Sequence, residues 1–167
     1  FDNNFFWNIG INASVAIGLK SLRNGGSRSV AIGTATLTNS SSTSIDNTAI
    51  GYNSLFANIS GIENTALGSF SLYNNNNGKN NTAIGYQSLE ANYQGSDNTA
   101  IGSNALNTII GNNNIGIGSN ATVPNLSGNN QMSIGNVIYG ADMDTTSNGK
   151  IGIGVSTPTE KLEVSGK

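Results

Sequence analysis

Asn81-Thr82-Ala83-Ile84-Gly85-Tyr86-Gln87-Ser88-Leu89 decides the fold, because near-copies of it recur through most of the chain. Aligned on the glycine, Ser-Val-Ala-Ile-Gly ends at Gly18 and Gly33, Asn-Thr-Ala-Ile-Gly at Gly51, Gly85 and Gly102, and Asn-Thr-Ala-Leu-Gly at Gly68. Looser copies end at Gly118, Gly135 and Gly154, so successive glycines lie 15, 18, 17, 17, 17, 16, 17 and 19 residues apart. An interval of this size marks a solenoid, in which each unit buries its apolar edge only by stacking on its neighbours.

Each unit alternates in size with a period of two. Val15, Val30, Thr48, Thr65, Thr82, Thr99, Ile115, Met132 and Ile151 share a face with Ile17, Ile32, Ile50, Leu67, Ile84, Ile101, Ile117, Ile134 and Ile153. The opposite face carries only Ala, Gly or Ser, as at Ala49, Ala66, Ala83 and Ala100, and is followed by Gly51, Gly68, Gly85 and Gly102. Alternation of this kind predicts a short strand, since a helix tolerates neither the Gly nor the β-branched density. On hydrophobicity the Ile column belongs to the core. The tiny-residue face then admits close approach of another backbone, which points to association between chains.

A second apolar column follows each early glycine by four residues, at Leu22, Leu37, Leu55, Leu72, Leu89 and Leu106. It is expected on a second strand of the coil and in the core. The pairs Asn58/Gly61, Asn75/Gly78 and Asn92/Gly95 then supply the return turn, and Ser54 also reads as a turn residue. The expected fold is all-β, a parallel β-roll or solenoid with about 17 residues per coil. Its core is thin, and a lone roll would be marginally stable.

Composition narrows the function. The 167 residues include 29 Asn and 22 Gly, charged residues are only 10%, and the net charge is -2. That balance offers no phosphate-neutralising patch, so no nucleic-acid partner is expected. With no Cys and no His, disulfides, zinc clusters and His-based dyads or triads are excluded. No apolar run has membrane-spanning length, so no membrane insertion is expected in this segment. The sequence starts at Phe1 without an initiating Met and reads as a piece of something longer.

Along the chain, residues 1–13 form an aromatic segment with four rings in the first seven positions, expected to cap the first coil or to serve as a distal ligand-contacting tip. Residues 14–139 form the repeat roll, and 140–158 an irregular final coil and neck in which Ile151 to Gly154 restores the register. Residues 159–167 exit toward a strand or helical stalk.

Together these residues resemble the head repeats of trimeric autotransporter adhesins, the YadA-like heads. Ser-Val-Ala-Ile-Gly18 and Asn-Thr-Ala-Ile-Gly51 with a trailing Ser-Leu carry the likeness, and Gly152-Ile-Gly-Val-Ser-Thr-Pro-Thr-Glu-Lys-Leu-Glu-Val164 is similar to the neck that follows such repeats in bacterial surface fibres and phage-type tail fibres. The likeness spans residues 14–164, although these coils are longer than the near-constant unit of the adhesin heads. It implies a left-handed roll, a side-by-side homotrimer, and display outside the cell or on a virion or injection particle. Adhesion or spacing is the implied role, with the shaft or receptor-binding part of a tail fibre as the alternative. No enzymatic activity and no cofactor are expected. A polysaccharide-degrading solenoid is the third reading, but its longer coils and converging acids and bases have no counterpart here.

Phe56, Tyr73 and Tyr93, with Tyr52 and Tyr86, fall after the strand or in turns, where rings stack on sugars or anchor a protein. They and Trp7 are the candidate ligand contacts; interchain packing is the competing role. The ligand class, surface glycan or protein, stays open. Asp46, Glu63 and Asp97 recur just before the repeat Asn, with Asn80 in the same slot. They read as solvated turn residues rather than a cation ladder, because no fixed pattern of oxygen ligands accompanies them. The Thr column is interrupted by Val, Ile and Met in other coils, which argues against an ice-binding face.

Overall fold

The computed structural model describes residues 13–24, 26–143 and 148–165. Trp7 and all but the last residue of the aromatic segment lie outside the described residues. The chain is a parallel β-solenoid of about seven turns with about 17 residues per coil. Among the described residues one sheet runs in sequence order: β1 (Val15–Ile17), β2 (Val30–Ile32), β3 (Thr48–Ile50), β4 (Thr65–Leu67), β5 (Thr82–Ile84), β6 (Thr99–Ile101), β7 (Ile115–Ile117), β8 (Met132–Ile134), β9 (Ile138–Ala141), β10 (Lys150–Ile153) and β11 (Leu162–Val164). From β1 to β8 every pairing is parallel and in repeat register, so Thr48, Thr65, Thr82 and Thr99 stack on one another, as do Ala49, Ala66, Ala83 and Ala100. Then β9 turns back antiparallel between β8 and β10, and β11 lies parallel to β10.

The two faces of the strand are the reverse of the hydrophobicity-based expectation. Ala31, Ala49, Ala66, Ala83 and Ala100 are fully buried inside the roll. Ile17, Ile32, Ile50, Leu67, Ile84, Ile101, Ile117, Ile134 and Ile153 are not core residues; they point outward and are partly or well exposed, Leu67 to 44%. The reason is width. Across the interior from the Ala column stand Leu37, Leu55, Leu72, Leu89 and Leu106, all buried, with Leu22 partly buried in the first coil. A Leu reaching across so narrow a coil leaves room only for a methyl group or less. At β7 the corresponding residue is Gly116, where even a Cβ would lie 2.5 Å from the Leu106 side chain.

Gly51, Gly68, Gly85 and Gly102 do pack closely, but against the next coil of the same chain. Gly68 has φ +138°, and a Cβ there would lie 2.5 Å from the carbonyl oxygen of Gly85. Nor does each coil hold two strands. Leu55, Leu72 and Leu89 sit at φ of 49°, 48° and 50°, so the far side is a run of turns rather than extended chain. Left-handed Leu costs roughly 1–2 kcal/mol apiece. Coil-to-coil hydrogen bonds hold it in place, with Leu55 N–H donating to Ser71 C=O at 3.0 Å and Leu72 N–H to Ser88 C=O at 2.9 Å.

The rest of the interior is polar. Asn47, Asn64, Asn81, Asn98 and Asn114 form a buried ladder. The Asn64 Nδ2 donates to Gly78 C=O at 2.9 Å, and its Oδ1 accepts the N–H of Asn81 at 3.0 Å; Asn81 repeats this toward Gly95 (2.8 Å) and Asn98 (3.0 Å). Asn58, Asn75 and Asn92, expected at exposed turns, make a second ladder, with Nδ2 of Asn75 on Oδ1 of Asn58 at 2.8 Å. Ser54 is likewise buried, donating to Ala66 C=O at 3.2 Å. Among the described residues no buried side-chain nitrogen or oxygen lacks a hydrogen-bond partner, as a polar core requires.

Candidate ligand-binding face

The residues two and five places after the repeat glycine flank the inward Ser and Leu, so their side chains leave the roll on the side of the turns. In the third and fourth coils these positions hold Asn53, Phe56, Phe70 and Tyr73. Stacking in register brings the rings together. Phe56 and Tyr73 lie parallel, with centroids 5.1 Å apart and planes 8° apart. Phe70 meets Tyr73 at 5.6 Å, Tyr52 edge-on at 5.3 Å and Tyr86 edge-on at 6.3 Å. Such offset and edge-to-face pairs stiffen a platform of rings. Tyr52 and Tyr86 remain 52% and 50% exposed.

Of the expected contacts, Phe56 and Tyr73 therefore belong to one platform, together with Tyr52 and Tyr86. Tyr93 lies in the opposite turn, eight residues after its glycine and 46% exposed, outside that cluster. Phe70 at the centre escaped the sequence reading. Its column holds Lys20, Ala35, Asn53, Gln87, Asn104 and Asn120 in other coils, and a column-by-column alignment isolates it as the one aromatic.

Beyond the platform the two columns hold Gln87, Glu90, Asn104, Asn107 and Asn120, which together with Thr108 and Thr122 from outside the columns line an open hollow of about 460 Å³. Asn107 Nδ2 donates to Glu90 Oε2 at 2.9 Å and to Gln87 C=O at 3.2 Å. A second hollow of about 570 Å³ lies at the neck, lined by Asp142, Asn148, Lys150, Thr159, Glu160 and Lys161.

The acidic column lies on exposed left-handed turns, with Asp46, Glu63 and Asp97 at φ of 59°, 58° and 60°. Asp46 accepts from Arg28 Nε at 2.8 Å and Nη2 at 2.5 Å. Those hydrogen bonds hold the Asp46 carboxyl below its ordinary range and raise the Arg28 guanidinium above its own. Asp97 accepts from Asn80 Nδ2 at 3.1 Å. Near the neck the Thr159 N–H, 2.7 Å from Glu163 Oε2, lowers the Glu163 carboxyl. Among the described residues no three His, Cys, Asp or Glu side chains are grouped to hold a metal ion, and no helix is long and apolar enough to cross a membrane.

Comparison with protein-family models finds no match, and neither does comparison with curated proteins or with solved structures.

Proposed function

We propose that this chain is a non-enzymatic structural and adhesive fibre segment, assembled as a left-handed, side-by-side homotrimer and displayed outside the cell. The observation that carries this reading is the uncovered outer face of the sheet. Parallel sheets are ordinarily covered on both faces. Here, among the described residues, the Ile column and its Val, Thr, Ile or Met neighbour are half-buried to exposed along eight strands. Seven steps of about 4.8 Å and three residues of width make a stripe about 34 Å by 10 Å. A straight stripe of Ile and Leu beside Val, Thr, Ile and Met, with nothing among the described residues laid over it, supports contact with another chain. Its straightness and repeat suit a second and third copy in the same register, burying what the thin core leaves exposed. The likeness to YadA-like heads supplies the number three and the handedness.

Within this assembly the turns bearing the aromatic platform face outward and serve attachment, while the stacked coils set reach. Placement in a phage or injection-particle tail fibre uses the same architecture and is the alternative parentage.

Light scattering after size exclusion tests the assembly. The expected mass is three times 17.1 kDa. Replacing Ile84 and Ile101 by Lys should give soluble monomers with unchanged circular dichroism, because both side chains leave the roll. A wild-type monomer or dimer, or a trimer that survives the double substitution, would overturn this assignment.

A further inference from the structure

We infer that the turn face from the third to the seventh coil binds a neutral polysaccharide lying along the solenoid axis. This rests on the attachment role above and names the ligand class for it. Three features of the face converge. Its first half is a rigid group of rings, of which Tyr52 and Tyr86 are the most exposed, suited to the C–H faces of pyranose rings. Its second half offers planar amides and hydroxyls, the groups that exchange paired hydrogen bonds with vicinal sugar hydroxyls. The two halves are contiguous: Gln87 follows Phe70 and Glu90 follows Tyr73 in adjacent coils of the same columns.

Charge selects among ligands. Neither column holds Lys or Arg between Asn53 and Val123, so phosphate or sulfate has no counter-charge there. The one carboxylate, Glu90, already accepts from Asn107. A protein partner would favour a central apolar anchor ringed by polar groups, whereas here rings and amides follow one another along the axis. Four coil steps span about 19 Å, so about four sugar rings lie along the face, each advancing by about one coil. Phe70, Tyr73 and Tyr86 stack the first rings; Gln87, Asn104 and Asn107 hydrogen-bond those that follow.

Affinity electrophoresis of the native assembly through gels containing hydroxyethyl cellulose, xyloglucan, galactomannan or dextran, with alginate as the anionic control, tests this. Retardation is expected in at least one neutral polymer and not in alginate. Tyr86→Ala should weaken it at least tenfold and Gln87→Ala about threefold, whereas Tyr93→Ala, in the opposite turn, should leave it unchanged. No retardation in any neutral polymer, retardation by alginate alone, or retention equal in wild type and Tyr86→Ala would overturn the inference. Light scattering on the same samples separates the two proposals. A trimer without neutral-glycan retention removes this ligand and leaves the fibre assignment standing; a monomer retained through Tyr86 does the reverse.

Discussion

The coils from β3 to β6 and the end of the chain from β8 to β11 use the same short strands but stack differently. In the middle, a glycine backbone approaches the next glycine so closely that a Cβ on Gly68 would lie 2.5 Å from Gly85 C=O. At the end, Gly135 has φ +60° and nothing within 4 Å of the equivalent position, and the chain doubles back as a hairpin. The amide ladder changes at the same place. Gln131 takes the Asn slot, but its Nε2 reaches Asn125 C=O at 2.7 Å and its Oε1 accepts the Asn125 N–H at 3.0 Å. One extra methylene turns the amide back onto its own coil. After β8, where both the glycine contact and the Asn ladder lapse, the next strand pairs antiparallel, so the strand motif by itself does not dictate parallel stacking.

The largest effect should come from breaking the glycine contact where it exists. Gly68→Ala places a side chain at a φ that only Gly adopts and drives it into backbone, so a loss of at least about 3 kcal/mol is expected. Gly135→Ala, in the ordinary left-handed region with open space, should cost about 1 kcal/mol. Urea unfolding of both variants checks the contrast; equal losses would mean that the close approach is not what holds the coils.

Next in size is the ladder. Asn81→Ala strands the buried Asn98 N–H and removes one of the two amide donors to Gly95 C=O, leaving that of Asn92, and should cost about 2–3 kcal/mol. Gln131→Ala disturbs a ladder end and should cost about 1 kcal/mol. Thermal unfolding followed by circular dichroism measures both. A ranking in the other order would show that the ladder is filler rather than framework.

The smallest effect concerns pH. The amide ladders do not titrate, so the middle coils should be insensitive to mild acid. Between the second and third coils, Asp46 is held as the carboxylate by Arg28. A depressed folded-state pKa contributes stability that is fully present above the unfolded value of 3.8 and is lost as pH falls through the lower folded value. The melting temperature of the wild type should therefore drop slightly more than that of Asp46→Asn between pH 5 and pH 2. Arg28 is exposed and Asp46 partly so, and salt should therefore shrink the difference. Identical pH profiles would show that the pair is not formed in solution.

Much of the fold was legible in the sequence. The glycine interval located β1 to β8, and the Leu column is buried where its spacing put it. The faces of the strand were not legible, because a period of two defines two faces without saying which is inside. Hydrophobicity favoured Ile84 for the interior; the span of Leu89 across a one-strand coil admits only Ala83. The polar interior was hidden for a related reason. A lone buried Asn is costly, but Asn64, Asn81 and Asn98 stacked at the repeat satisfy one another, and no single coil displays that. In the candidate site, Phe56 and Tyr73 were visible individually, while the platform depended on Phe70, which only the stacked columns reveal.

The ladder bonds also set how the segment bears tension. They run along the axis from coil to coil, so a pull on the two ends opens them one coil at a time, like a zip, instead of loading all of them together. Each coil of 17 residues that peels away exchanges a rise of about 4.8 Å for roughly 55 Å of free chain. A tether built this way lengthens in steps under load and re-forms when slack, and a single-molecule force–extension trace should show that sawtooth, with the β8–β11 end yielding separately from the uniform coils.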